Sequence, residues 1–395
     1  MQPADIEALM SPRGRALLAE LPAYDDTAAL AMGERLRRQG FEPALVAAAM
    51  TQARLRARAV AKLGPDAERL LLTADGLEQA TRREVAERRA ARLAAGGARR
   101  VADLGCGIGA DSLAFARAGL QVLAVERDPV TAAVARANAA AAGLAHLVDV
   151  VEGDATQVGL DGCDAAYLDP ARRGQGRRRY DPQQWSPPWE FVRRVAGQTP
   201  RTVAKVAPGI EHALVPAGAE AEWVSVDGDV VEAAVWFGPL AGAWPRTATL
   251  LPSGASVSGP ATSPPPAREP GAFLYEPDGA VIRAGLVAEA AQEVEGWLLD
   301  PTIAYVSADR HLPTRLMTAY VVHESAPFSL RRVAAMLRAR GAGDVVVKKR
   351  GTAVVPESFR AQVLKSLPER GRGPSVTVVL TRVLGAHTAL VVERL

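Results

Sequence analysis

Three glycines at alternate positions, Gly105, Gly107 and Gly109, follow the apolar run Val101-Ala-Asp-Leu104, in which Asp103 stands two residues ahead of the first glycine. Lacking Cβ atoms, such positions turn at positive φ and let the backbone approach a ligand closely. Asp103, at the end of a predicted strand, offers a carboxylate to a cationic group in the cleft beside it. Residues 111–119 have helical spacing and end in glycine, so the order is strand, glycine-rich loop, helix. A second apolar run over 121–126 closes on Glu126, about twenty residues after the first glycine, where an acid accepts both ribose hydroxyls of an adenosine. Three readings stay open on this segment. The loop serves S-adenosylmethionine (SAM), or a nicotinamide or flavin dinucleotide whose fingerprint Gly105 to Ala110 also satisfies, or it is a structural turn.

Two further strands decide between them. Residues 148–155 form a third predicted strand ending in Gly153-Asp154-Ala155, which resembles the place in SAM enzymes where an aspartate accepts from the adenine amine while the neighbouring backbone contacts the ring. A fourth, over 165–168 within the segment 163–172, delivers Asp169-Pro170 to the carboxyl edge of the sheet, the edge at which open α/β sheets bind ligands.

In this order, Asp103 to Gly109, Glu126, Asp154-Ala155 and Asp169-Pro170 resemble the motifs of class I SAM-dependent methyltransferases, over roughly residues 70–240. The resemblance implies a Rossmann-like α/β sheet, SAM as cofactor, and cofactor contacts from Asp103, Gly105, Gly107, Gly109, Glu126, Asp154, Ala155 and Asp169. Asp169-Pro170 is similar to the Asp/Asn-Pro-Pro signature of amino-methylating nucleic-acid enzymes, including the trimethylguanosine synthase group. The chain departs from that signature at Ala171. Gln79 and Thr81 resemble the segment lying over the cofactor in the same group, which implies Thr81 near the methionyl carboxylate. The whole chain resembles bacterial methyltransferases with a THUMP-like C-terminal domain, through Thr73-Ala-Asp-Gly-Leu-Glu-Gln-Ala-Thr81, Asp169-Pro-Ala-Arg-Arg173, Trp185-Ser-Pro-Pro188, Lys205-Val-Ala-Pro-Gly209, the segment 232–237 and Tyr275-Glu-Pro-Asp-Gly-Ala-Val-Ile-Arg283. That implies RNA, tRNA or rRNA, as the substrate class.

Methyl transfer needs alignment more than covalent help. Asp169, with Pro170, is placed to accept hydrogen bonds from an exocyclic amine and orient its lone pair; a strand-end cap is the plainer role. Five arginines, Arg172, Arg173, Arg177, Arg178 and Arg179, follow within eight residues with no acid among them. Arginine forks suit phosphate oxygens. With Tyr180, Trp185 and Trp189 next in sequence, the segment reads as a phosphate clamp with a stacking platform for an unstacked base; the tryptophans equally suit a core. Lys205 ends the fifth strand, where it contacts substrate or pairs with Asp169. Asp169, Lys205 and Glu232 are similar to part of the Lys-Asp-Lys-Glu set of ribose 2′-O-methyltransferases, whose first lysine is missing here unless Lys62 supplies it. Uracil-C5 chemistry needs a nucleophilic cysteine after the fifth strand, and Cys106 and Cys163 both precede it. The histidines at 146, 212, 311, 323 and 387 have no paired metal-ligand spacing, so no metal is expected. A non-catalytic RNA-binding protein with a retained methyltransferase fold, or a small-molecule methyltransferase, are the remaining alternatives; the arginine segment and accessory domain oppose the latter.

The elements that hold these residues fall in three stretches. Residues 1–95, rich in Ala, Leu and Arg, have helical spacing over 26–38, 43–63 and 83–93 and read as a helical cap. Residues 96–240 alternate strand and helix, implying a mainly parallel methyltransferase sheet with further strands at 201–205, 221–226 and 230–236. Residues 241–395 read as a small α+β accessory domain, entered through a Pro/Ser-rich linker or mobile hairpin tip at 252–270. Lys348-Lys-Arg-Gly351 and Arg370-Gly-Arg372 are its candidate RNA contacts. Two cysteines give no disulfide framework, the amino terminus lacks a secretory pattern, and no apolar run spans a bilayer, so a cytoplasmic enzyme without membrane partners is expected. The net charge of +3 does not by itself announce nucleic-acid binding.

Overall fold

The computed structural model describes residues 3–170, 173–174, 177–178, 184–368 and 371–395. The chain forms two compact units. The first comprises Met1–Val206, Pro216–Ala219 and Ala234–Gly242, and the second Ala207–Val215, Glu220–Ala233 and Ala243–Leu395.

The first unit begins with six helices: α1 (Pro3–Met10), α2 (Pro12–Glu20), α3 (Ala29–Arg38), α4 (Pro43–Leu63), α5 (Ala74–Gln79) and α6 (Arg83–Ala95). Proline opens α2 and α4, where a missing N–H costs no helical bond. The helix expected over 26–38 starts only at Ala29, because the Asp25 carboxylate binds the Thr27 N–H at 2.8 Å and holds the preceding residues in a turn. Between α4 and α5 the buried segment Leu70-Leu71-Leu72 has its peptide groups satisfied by two side-chain amides. Gln52 accepts from the Leu72 N–H at 3.1 Å and donates to its carbonyl at 2.5 Å. Asn138 accepts from the Leu71 N–H at 2.7 Å and donates to the carbonyls of Leu71 and Ile108 at 3.0 and 2.9 Å. The segment leading into Thr73–Thr81 is thereby tied to the glycine loop.

A parallel sheet follows: β1 (Arg100–Leu104), α7 (Ala110–Arg117), β2 (Gln121–Glu126), α8 (Pro129–Ala141), β3 (Val148–Glu152), β4 (Ala165–Leu168), the short β5 (Arg173–Gly174) and β6 (Arg177–Arg178), α9 (Trp189–Gln198) and β7 (Arg201–Val206). The Rossmann-like order is β3-β2-β1-β4-β7. The chain runs outward from β1 to β3, then returns to β4 on the other side of β1, so a crevice opens beyond the carboxyl ends of β1 and β4. Val101 to Leu104 are all buried, as a central parallel strand covered on both faces requires. Leu168 pairs with Ala204, which brings Asp169 level with Lys205.

In the second unit, β8 (Glu220–Val226) turns through Asp227 and Gly228 into β9 (Asp229–Trp236), whose last residues belong to the first unit. Both turn residues have positive φ, 51° and 87°, as a two-residue hairpin demands. β10 (Arg246–Leu251) runs parallel to β8 and antiparallel to β11 (Ala255–Gly259). Part of the 252–270 stretch read as a linker or mobile tip is therefore a strand: small Ala, Ser and Gly residues make few core contacts but still donate and accept along a ladder. The remainder is anchored by the Thr262 N–H to Glu289 at 2.8 Å and the Arg268 N–H to the Leu298 carbonyl at 3.0 Å. Next come β12 (Phe273–Pro277), α10 (Gly279–Ala284), α11 (Val287–Glu293), β13 (Trp297–Asp300), β14 (Ile303–Ala308), β15 (Met317–Pro327), α12 (Leu330–Arg338), β16 (Asp344–Lys349), α13 (Pro356–Leu364), β17 (Ser375–Val383) and β18 (Ala386–Arg394). Their sheet is ordered β13-β14-β12-β15-β18-β17-β16. One core joins it to α12 and α13 through Val333, Leu337, Phe359, Val363 and Val378. Among the described residues no helix is long and apolar enough to cross a membrane.

Candidate functional site

The glycine loop has the backbone its composition demands: Gly105, Gly107 and Gly109 lie at φ of 102°, 56° and 88°. A Cβ added at Gly105 or Gly107 meets nothing within 4 Å, whereas at Gly109 it would touch Ala135. The first two glycines therefore border open space and the third faces α8. The loop is pinned from β2: the N–H groups of Gly105 and Cys106 donate to the Val125 carbonyl at 2.9 and 3.0 Å. Glu126 accepts from the Gly107 N–H at 3.0 Å through Oε2 and from the Asp128 N–H at 2.9 Å through Oε1. Asp154, beyond β3, receives the N–H and hydroxyl of Thr156 at 2.8 and 2.7 Å on Oδ1, with the hydroxyl bond foremost in holding its carboxyl below the usual range. Ala155 is half-buried beside it.

A chain of charged groups runs below this loop. Arg89 on α6 is 2% exposed and forms an ion pair with Asp111 at the start of α7. Its guanidinium also lies 4.6 Å from the centre of the Tyr167 ring. Asp111 accepts from the Thr81 hydroxyl at 2.7 Å and from the Tyr167 hydroxyl at 3.3 Å. Lys205 Nζ donates to Thr81 Oγ1 at 3.2 Å and to Asp169 Oδ2 at 2.7 Å. The pairing of Lys205 with Asp169 is thus realised, and Pro170 beside it is buried.

Asp103, 1% exposed, receives the Ser112 hydroxyl on Oδ2 at 2.5 Å, while its buried Oδ1 has no partner among the described residues. Burial first, and then the charge of Asp111, push its carboxyl up to about 8; Asp169 adds to the rise, and the Ser112 bond and Arg89 oppose it. A buried carboxyl oxygen without a donor, at the edge of a loop with room above two glycines, is suited to a cationic ligand that approaches the backbone.

Other sequence readings fare differently. Arg172, Arg179 and Tyr180 lie outside the described residues; Arg173–Gly174 and Arg177–Arg178 pair as an antiparallel ribbon. Trp185 and Trp189 are 6% and 4% exposed and meet edge to face at 6.0 Å. The stacking-platform reading of these two is therefore corrected: they pack as core, with α9 carrying Trp189 on the same buried face as Val192 and Val195. Lys62 donates to the carbonyls of Leu77 and Glu78 at 2.8 and 2.7 Å, binding the carboxyl-terminal end of α5. Burial, reinforced by Lys205 and Arg82, lowers its pKa. Lys348 and Arg350 in the second unit form ion pairs with Glu276 at 2.6 and 3.9 Å, and Arg370 lies outside the described residues. Arg89, Asp111, Ser112 and Tyr167 were not read from the sequence as site residues. Asp111 sits in the first turn of α7, where an acid is unremarkable on dipole grounds.

A family model described as a methyltransferase domain matches residues 101–168, one described as THUMP domain-like matches 317–394, and a domain of unknown function matches 2–59. Uncharacterized SAM-dependent methyltransferases of two Mycobacterium tuberculosis strains, CDC 1551 and H37Rv, are 35% identical over 345 residues, covering 83% of this chain and 90% of theirs. A 23S rRNA (uracil(1939)-C(5))-methyltransferase of Shewanella amazonensis is 40% identical over 90 residues, 22% of this chain and 19% of that protein. A crystal structure from Porphyromonas gingivalis W83, assigned provisionally as a methyltransferase, shares the fold with a TM-score of 0.76 at 20% identity, covering 94% of this chain and 99% of that one. With the glycine loop, the strand-end acids and a relative matched over most of both chains, this chain belongs to the SAM-dependent methyltransferases with a THUMP-like C-terminal region.

Proposed function

We propose that the chain transfers the methyl group of SAM to RNA, at a base nitrogen or exocyclic amine. The observation that carries this reading is the Lys205–Asp169 pair, 2.7 Å apart at the carboxyl edge of β4 and β7, next to Pro170 and across from the glycine loop. When bound, SAM supplies an electrophilic methyl group. The residues do the holding. Asp103 takes the cationic ammonium, Thr81 lies by the methionyl carboxylate, and Gly105, Gly107 and Gly109 let the backbone close on the ligand. Glu126 takes the ribose hydroxyls, since each of its oxygens keeps a second lone pair beyond the backbone N–H it accepts. Asp154 receives the adenine amine, with the Ala155 backbone along the ring.

On the acceptor side, Asp169 accepts a hydrogen of the amine and so turns its lone pair toward the donor, while Lys205 fixes the carboxylate in place. RNA as substrate is supported by the THUMP domain-like match, by the rRNA-modifying relative and by the arginine run 172–179, whose forks suit phosphate. Uracil-C5 chemistry does not carry over from that relative, because neither cysteine follows β7. The ribose 2′-O alternative loses its first lysine, since Lys62 is engaged with backbone carbonyls of α5.

Tritiated SAM incubated with RNA from a host lacking the gene, followed by nucleoside mass spectrometry, tests the reading. Label in one methylated base supports it and names the position. Calorimetry showing no SAM affinity in the intact chain, or affinity unmoved by Asp103→Ala and Glu126→Ala, overturns it.

A further inference from the structure

Five side chains from α6, α7, the segment before α6, β7 and the end of β4 make one continuous polar run: Arg89, Asp111, Thr81, Lys205, Asp169. It pairs Arg89 with Asp111 and Lys205 with Asp169. Asp103 is a third carboxyl facing this run, and among the described residues it makes no ion pair, its cationic neighbour Arg89 being paired with Asp111. From α7 it faces Asp111 and Ser112, from α6 Arg89, from the end of β4 Asp169, and from the loop Cys106, whose thiol burial and Asp103 together push up. Ionised, it would add a buried negative charge beside Asp111 and Asp169, with Oδ1 unpartnered among the described residues. Burying such a charge without a hydrogen-bond donor on that oxygen is costly. Protonated, it adds no charge beside those two carboxylates.

We propose that Asp103 carries a proton in the free protein and releases it when the cationic methionyl end of SAM binds, with Asp111 as the positioning residue that sets this exchange. The Asp103 O–H bond breaks, its proton passes to a buffer base, and the carboxylate left behind becomes the counterion of the incoming ammonium. No electron changes hands. Burial and the neighbouring Asp111 charge hold the carboxyl at about 8 in the free protein, so at pH 7 the proton is still present. The inference rests on the SAM-binding reading above.

Calorimetry of SAM binding to the full chain at pH 7, in buffers of differing ionisation enthalpy, counts the protons directly. A group titrating near 8 gives about 0.9 proton released per SAM, and an affinity that rises about ninefold from pH 6 to pH 7. The ligand's own amino group, near 7.7–8.0 for an α-amine, binds as the cation and so can only take up a proton, about 0.1–0.2 at pH 7, which trims the net count to about 0.8 and leaves any net release to the protein. Asp103→Asn, the same shape without the proton, is expected to lose the buffer dependence. Asp111→Asn removes a neighbouring negative charge and leaves Arg89 to stabilise the ionised Asp103, so release at pH 7 falls while SAM still binds. Binding heat that does not vary with buffer, together with affinity flat between pH 6 and 7, overturns the proposal. Full release from Asp103→Asn overturns the assignment to Asp103, and unchanged release from Asp111→Asn overturns the role of Asp111. No heat in any buffer overturns the SAM reading instead.

Discussion

Replacing Asp103 by Asn should stabilise the protein without its cofactor, and increasingly so as the pH rises. Asp103 is fully buried and its carboxyl is pushed from 3.8 to about 8, burial being the first cause and Asp111 the second. Because the folded state holds the proton more tightly than the unfolded chain does, the contribution of this group is fully present below pH 3.8. It declines as the pH rises toward 8. At about 1.36 kcal/mol per pKa unit, the loss between the two ends of that window is of order 5 kcal/mol, and at pH 7 of order 4. Asn escapes this loss, and a rotated Ser112 hydroxyl can still bond to it. Even half the pH 7 figure, about 2 kcal/mol, corresponds to roughly 4–8 °C in Tm for a unit of this size. Scanning fluorimetry of both proteins at pH 5, 6, 7 and 8, with SAM removed, should show a gap that widens at each step. Parallel curves would refute the reasoning, because they would mean that Asp103 is ionised in the free protein at a cost the surroundings already offset. Added SAM should reverse the ranking by stabilising the wild type more.

Three further outcomes follow from named contacts. Arg89→Met leaves the Asp111 carboxylate buried without its ion pair, which should cost about 3–5 kcal/mol in urea unfolding of the first unit; a change within error would show that Thr81 and Tyr167 suffice to hold Asp111. Trp189→Ala empties a buried site packed edge to face against Trp185, so a loss of about 3–5 kcal/mol is expected. Unaltered stability with weakened RNA binding would instead restore the stacking role read from sequence. Lys205→Met should lower methyl transfer about 10²-fold through misplacement of Asp169, with SAM affinity by calorimetry changing much less; equal losses in both would place Lys205 on the cofactor rather than beside the acceptor.

The parts of the candidate site that were legible in the sequence are those whose meaning is local. Asp103, Glu126, Asp154 and Asp169 each stand at or just past the carboxyl end of an apolar strand, and such a residue lies near the crevice wherever its strand lies in the sheet. The glycines were legible because only a few backbone shapes require them. Arg89 and Asp111 were not, since they are 22 residues apart on two helices and nothing in either helix announces the other. Trp185 and Trp189 misled because prolines and arginines surround them in sequence, which signals exposure for the segment but says nothing about which side chains turn inward. β11 was hidden for the converse reason: its Ser, Ala and Gly residues look like linker, while the strand is made by backbone bonds to β10 that composition does not record.

What the hidden pair adds is a reason for the legible residues to act together. Thr81 donates to Asp111 and accepts from Lys205, so one hydroxyl joins the helix that follows the glycine loop to the lysine that holds Asp169. A shift of α7 toward a ligand would be felt at Asp169 through three hydrogen bonds rather than through the sheet. Thr81→Ser keeps that hydroxyl and Thr81→Val keeps the shape without it. If the link matters, Val should lower methyl transfer roughly tenfold or more while Ser stays near wild type, a loss of about 1.4 kcal/mol or more in the barrier. If Ser and Val behave alike, Asp169 is positioned by Lys205 and the β4–β7 register alone, and the run of contacts from Arg89 to Asp169 serves only to keep the buried charges paired.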